Sequence, residues 1–122
     1  MERYGVFIAA VFGALAVLLG AFAAHGLKNT LSVESLAVLQ TGVHYQFIHA
    51  LALLLVVLLA QQRASRALVF SAVFFTLGII LFSGSLYVLV LTPLKPGIVT
   101  PIGGSLLVLG WLSLACSAWR KA

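Results

Sequence analysis

SLAVLQTGVHYQFIHALALLLVVLLAQQ, residues 35–62, runs for 28 positions without a Lys, Arg, Asp or Glu. The hydrocarbon core of a bilayer is about 30 Å thick, and about 20 residues of helix cross it. Within this stretch only the 11 residues 50–60 are continuously apolar, and at 1.5 Å each they reach about 16 Å. The polar residues before them must therefore enter the membrane too. Counting about 20 residues back from Gln61 sets one membrane boundary near Gly42 and places His49 about 10 Å beneath it.

Three more stretches, 4–27, 67–94 and 96–119, are equally free of charge. The chain is 63% hydrophobic and 7% charged, against roughly 25% charged in soluble domains. Together these features predict an all-α membrane protein. The expected architecture is a four-transmembrane-helix bundle forming one domain over 1–122, with spans near 4–24, 42–61, 67–88 and 99–119. So little chain lies outside the spans that a separate catalytic domain is excluded. The first span resembles a signal peptide, with Arg3 before it and the small-residue pattern Ala21-Phe22-Ala23 near its end. Its apolar run exceeds the ~7–15 residues of a signal core, so it is read as a retained helix.

Seven basic residues face two acidic ones. In a soluble chain that balance suggests nucleic acid, but here the cations sit at helix ends, where they meet lipid headgroups, and no nucleic-acid partner is expected. Arg3, Arg63, Arg66, Arg120 and Lys121 fall on one side of the membrane, Lys28 and Lys95 on the other. The excess of basic residues in short cytoplasmic segments then predicts both termini inside. The single cysteine, Cys116, excludes an internal disulfide and a multi-cysteine metal site.

The first loop is long enough for structure of its own. Ser32 can cap a helix whose first turn holds Glu34, and Gly42 is a natural bend, so a short interfacial helix is expected before the second span. Pro93, Pro96 and Gly97 punctuate the third loop. Small residues recur at helical spacing: Gly5, Ala9, Gly13, Ala16, Gly20 and Ala24 in the first span, Ser71, Gly78 and Ser85 in the third, and Gly103, Gly110 and Ser117 in the fourth. Such stripes let helix backbones approach closely in lipid. Gly13, Gly20, Gly78, Gly84, Gly103, Gly104 and Gly110 are accordingly expected to pack helices, whether within the chain or in a homo-oligomer.

Chemistry concentrates on one side of the membrane. Residues three or four apart share a helix face: Thr41, Tyr45 and His49 lie together, Gln40 and His44 on a neighbouring strip, and Gln46 within reach of His49. His25 ends the first span at the same level, Ser83, Ser85 and Tyr87 close the third, and Thr100 opens the fourth. His25, Gln40, His44, Tyr45, Gln46, His49, Ser83, Ser85 and Tyr87 are therefore the candidate residues of a polar pocket opening outward. An imidazolium at the depth of His49 is costly, so that ring is expected to be neutral and hydrogen-bonded. Polar groups in lipid also serve simply to join helices. Trp119 and Tyr4 fit an interfacial belt, whereas Trp111 lies mid-span and is read as packing.

AHGL at 24–27, YQFIHALAL at 45–53, FSGSLY at 82–87, TPIGG at 100–104 and GW at 110–111 resemble the signature of one small family. It is the four-span bacterial inner-membrane family of unknown function typified by the YgdD and YwdK proteins. The resemblance implies a multi-pass protein of the bacterial plasma membrane and no established activity.

Three functions remain. In the first, a non-enzymatic membrane component uses the outward pocket to bind a lipid, a small hydrophobic ligand or a partner protein. In the second, a small proton-coupled transporter or channel carries its proton on His49, since no Asp or Glu lies within a span. In the third, His25, His44 and His49 serve a haem, metal or quinone. The first is favoured, because it needs nothing beyond the residues present, and no metal or cofactor is expected; the lack of a nucleophile, base and oxyanion set speaks against hydrolysis.

Overall fold

The computed structural model describes residues 2–119, so Arg120 and Lys121, two of the five cations counted on the basic side, lie outside the described residues. Four helices follow in order: α1 (Glu2–His25), α2 (Val33–Gln62), α3 (Arg66–Leu91) and α4 (Val99–Ser117). Each is long and apolar enough to cross a membrane.

Their ends follow from local chemistry. Ser32 Oγ accepts the backbone N–H of Ser35 and starts α2, and Ser65 Oγ accepts that of Leu68 to start α3, so each hydroxyl occupies an otherwise orphaned helix donor. Only Arg63, Ala64 and Ser65 separate α2 from α3. Pro96 and Gly97, the latter at φ +61°, turn the chain into α4, a conformation that glycine adopts without a Cβ clash.

The separate interfacial helix is not found. Its residues are the first turns of a 30-residue α2 that passes through Gly42 without a break. Leu39, Val43, Gln46, Ala50, Leu53 and Val57, alternately four and three apart, are all buried. That unbroken seam holds the helix in one piece. Gly42 serves closeness and not a bend: a Cβ there would lie 2.8 Å from the Tyr87 ring.

Helices adjacent in sequence pack along one another, α1 on α2, α2 on α3 and α3 on α4. The stripe on α1 faces α2, with Ala9 and Ala16 buried and a Cβ at Gly20 3.3 Å from Val43. The stripes of α3 and α4 face each other. Ser71 donates to the Gly110 carbonyl at 2.8 Å, and Gly78 fits against Leu107. Gly103 lies against the backbone of Leu81 and Phe82, Gly104 against the Phe82 ring and Gly110 against that of Phe75. Gly13 and Gly84 differ from the rest of the expected packing set, because a Cβ at either meets nothing within 4 Å. The apolar core, centred on Leu53, Val56, Leu68, Phe75 and Ile79, joins α1 to α4 around α2 and α3.

Candidate functional site

Of the buried polar side chains, Gln46, Ser83 and Ser85 lie on α2 and α3 away from the α2–α3 turn, His49 sits at mid-height beside Phe75 and Trp111, and Ser71 and Ser117 lie nearer the turn. Gln46, on the seam of α2, donates through Nε2 to the Phe12 carbonyl of α1 at 2.7 Å. Its Oε1 accepts the Tyr87 hydroxyl of α3 at 2.7 Å. One amide thus ties three helices. Above it, Ser83 Oγ donates to the Gly42 carbonyl at 2.7 Å. Ser85 Oγ donates to the Phe82 carbonyl at 2.8 Å and is also hydrogen-bonded to the Thr100 hydroxyl of α4.

His49 forms the second centre. Its Nδ1 lies 2.7 Å from the Tyr45 carbonyl, and Trp111 Nε1 donates to its Nε2 at 3.0 Å. A carbonyl can only accept and an indole N–H can only donate. The two partners therefore fix one form of the ring, the neutral imidazole with its proton on Nδ1. Aromatic rings enclose it. The Tyr45 ring stacks at 5.8 Å and 18°, the Phe75 ring lies at 5.6 Å and that of Trp111 stands edge-on at 5.8 Å. With 5% of its surface exposed, the imidazole links α2 to α4 through the Trp111 indole.

Of the nine candidate residues, Gln46, His49, Ser83 and Ser85 are buried and Tyr87 half-buried, and all five take part in these contacts. His25, Gln40 and His44 are exposed and stay apart from them. Tyr45 contributes its carbonyl and the face of a 43% exposed ring. The expected link from Gln46 to His49 gives way to bonds from each residue to a different helix. Thr41 bonds locally, to the Ala37 carbonyl. Trp111, read as packing, proves to be a donor. An indole N–H in mid-membrane needs an acceptor, and that requirement was the signal for it. The carbonyls of Phe12 and Gly42 carry no side-chain signal at all.

The polar groups of this set bond to neighbouring helices or to their own backbone. Two grooves lie among the described residues. A groove of about 300 Å³ runs beside α1, lined by Gly5, Ile8, Leu53, Val57, Ala72 and Thr76. A second, of about 400 Å³, lies between α3 and α4.

Residues 19–104 match the family model described as protein of unknown function (DUF423). The chain is 41% identical over 120 residues to the UPF0382 inner membrane protein YgdD of Escherichia coli, covering 98% of this chain and 92% of the relative. It is 41% identical over 122 residues to a UPF0382 membrane protein of Haemophilus influenzae, 99% and 98% of the two chains. It is 39% identical over 115 residues to the UPF0382 membrane protein YwdK of Bacillus subtilis, 93% and 94% of the two. No solved structure matches.

Proposed function

The chain belongs to this family of membrane proteins of unknown function, and from that starting point we propose that it is a non-enzymatic component of the plasma membrane that takes up a lipid or another small hydrophobic molecule from within the bilayer. Both termini face the cytoplasm in this reading. The observation that carries it is the contrast between the polar set and the groove. In the set, Gln46, His49, Ser83, Ser85 and Tyr87 are engaged with other helices or their own backbone. The groove beside α1 has apolar walls and about 300 Å³ of room, the lower end of the range for small-molecule sites.

The same contrast speaks against chemistry in the polar set. General bases, nucleophiles and iron ligands act through a free lone pair or a transferable proton. His49 holds its Nδ1 proton toward a carbonyl and its Nε2 lone pair toward an indole. A proton carrier would have to break one of those bonds in every cycle. The polar set instead fixes the helix spacing on which the groove depends.

The test is mass spectrometry of the purified chain and of its organic extract. A hydrophobic species is expected to accompany the unaltered chain and to be lost from Thr76→Trp, which fills the groove. Equal retention by the two proteins, or none by a folded unaltered chain, overturns the reading.

A further inference from the structure

The second groove differs from the first in charge. It follows the surface of the α3–α4 seam near the α2–α3 turn, between Phe70 on α3 and Leu109 and Leu112 on α4, with Ser113 in its wall and Arg66 at its mouth. Its volume is about 400 Å³. Phe70, Leu109 and Leu112 are exposed, so the walls face acyl chains.

No carboxylate is among the residues that line this groove. The chain's only acidic residues are Glu2 and Glu34: Glu2 opens α1 at this end of the bundle but does not line the groove, and Glu34 lies in the first turn of α2, at the far end of that helix. Arg66 is exposed. Arg63, three residues away at the end of α2, reaches Ser117 Oγ with Nη2 at 3.4 Å, and its buried Nε has no partner among the described residues. A guanidinium at the mouth of a two-walled apolar furrow whose lining holds no carboxylate matches one kind of occupant, an anion carried on a hydrocarbon chain. A free anion would gain nothing from Phe70, Leu109 and Leu112, and a zwitterionic lipid would bring its own cation to Arg66.

We propose that this groove seats one anionic phospholipid, with its phosphodiester on the Arg66 guanidinium and its upper acyl methylenes along Phe70, Leu109 and Leu112. The site is distinct from the groove beside α1 and stands independently of its occupant. Basic residues at the cytoplasmic ends of helices attract anionic lipids in general; the addition here is a single bounded seat with an apolar wall.

The experiment is native mass spectrometry of the delipidated full chain in detergent, titrated in parallel with phosphatidylglycerol, phosphatidylcholine and inorganic phosphate. The unaltered protein should retain phosphatidylglycerol over phosphatidylcholine, and Arg66→Gln should bind it about fivefold less, the effect of one basic residue at an anionic surface. Leu109→Trp, which fills the furrow and keeps every charge, should lose the lipid too. Arg3→Gln, outside the groove, should retain it. Equal retention of the two lipids overturns the proposal, as does equal loss in Arg66→Gln and Arg3→Gln, which indicates diffuse attraction. Displacement of the lipid by inorganic phosphate also overturns it, by assigning the site to a free anion. Thermal melting of each variant, with Arg66 and Leu109 both exposed, separates lost binding from lost folding.

Discussion

Replacing Trp111 with Phe keeps an aromatic ring against α2 and removes one hydrogen-bond donor. His49 Nε2, in a ring 5% exposed, would then face the bundle with no partner for its lone pair. Side-chain hydrogen bonds between membrane helices average about 0.6 kcal/mol and reach about 1.7. An acceptor left unpaired in a buried site costs about 1–3 kcal/mol in proteins generally. The smaller ring also weakens the edge contact with Phe75, now 5.1 Å between centroids, and such pairs contribute about 0.5–1.5 kcal/mol. Trp111→Phe is therefore expected to destabilise the bundle by roughly 1–2.5 kcal/mol.

A double-mutant cycle separates the hydrogen bond from the ring. Trp111→Phe, His49→Phe and the double variant are unfolded reversibly in mixed micelles by increasing the denaturing detergent, with helix content followed by circular dichroism. The expected coupling is about 0.6–1.7 kcal/mol. A coupling within about 0.3 kcal/mol of zero, the level at which unconnected sites simply add, would show that the indole and the imidazole are not bonded.

In the same assay Gly103→Ala, whose methyl meets the backbone of Leu81 and Phe82, should cost about 1–3 kcal/mol because two helices must separate. Gly13→Ala, whose methyl meets nothing within 4 Å, should be neutral or stabilising by up to about 1 kcal/mol, since alanine is the better helix former. Tyr87→Phe leaves Gln46 Oε1 without its donor and should lower stability by about 0.6 kcal/mol, read as a shift of the unfolding midpoint. For orientation, a cysteine at Lys28 or Lys95 in a Cys116→Ser background should react with an impermeant maleimide on intact spheroplasts, and one at Ala64 only after lysis; the reverse pattern inverts the topology.

The four long apolar helices were legible because lipid makes a coarse demand. About 20 uncharged residues between charged ones identify a crossing whatever their order, and expected spans near 67–88 and 99–119 compare with helices Arg66–Leu91 and Val99–Ser117. The Ser32 cap was legible for a local reason, since donor and acceptor lie three residues apart. Gly42 was misread because a glycine that makes room for a neighbour and one that bends a helix look alike in sequence; Tyr87, 45 positions away, decides between them. The polar residues were recognisable as a group, but their partners were not. Gln46 and Ser83 bond to backbone carbonyls of other helices, acceptors that every residue possesses and none advertises. Trp111 was hidden by its apolar bulk, although its lone N–H carried the requirement that His49 meets.

The central claim is that the buried polar residues are bonds between helices, with the imidazole at their centre held in one neutral form. Nitrogen NMR of the full chain in bilayers, with histidine labelled at both ring nitrogens and the His49 signals assigned by loss in His49→Phe, tests it most directly. The predicted spectrum has a protonated, pyrrole-type Nδ1 and a bare, pyridine-type Nε2 whose shift changes in Trp111→Phe. A proton on Nε2, an exchanging mixture of the two forms, or an Nε2 shift indifferent to Trp111 would contradict the account.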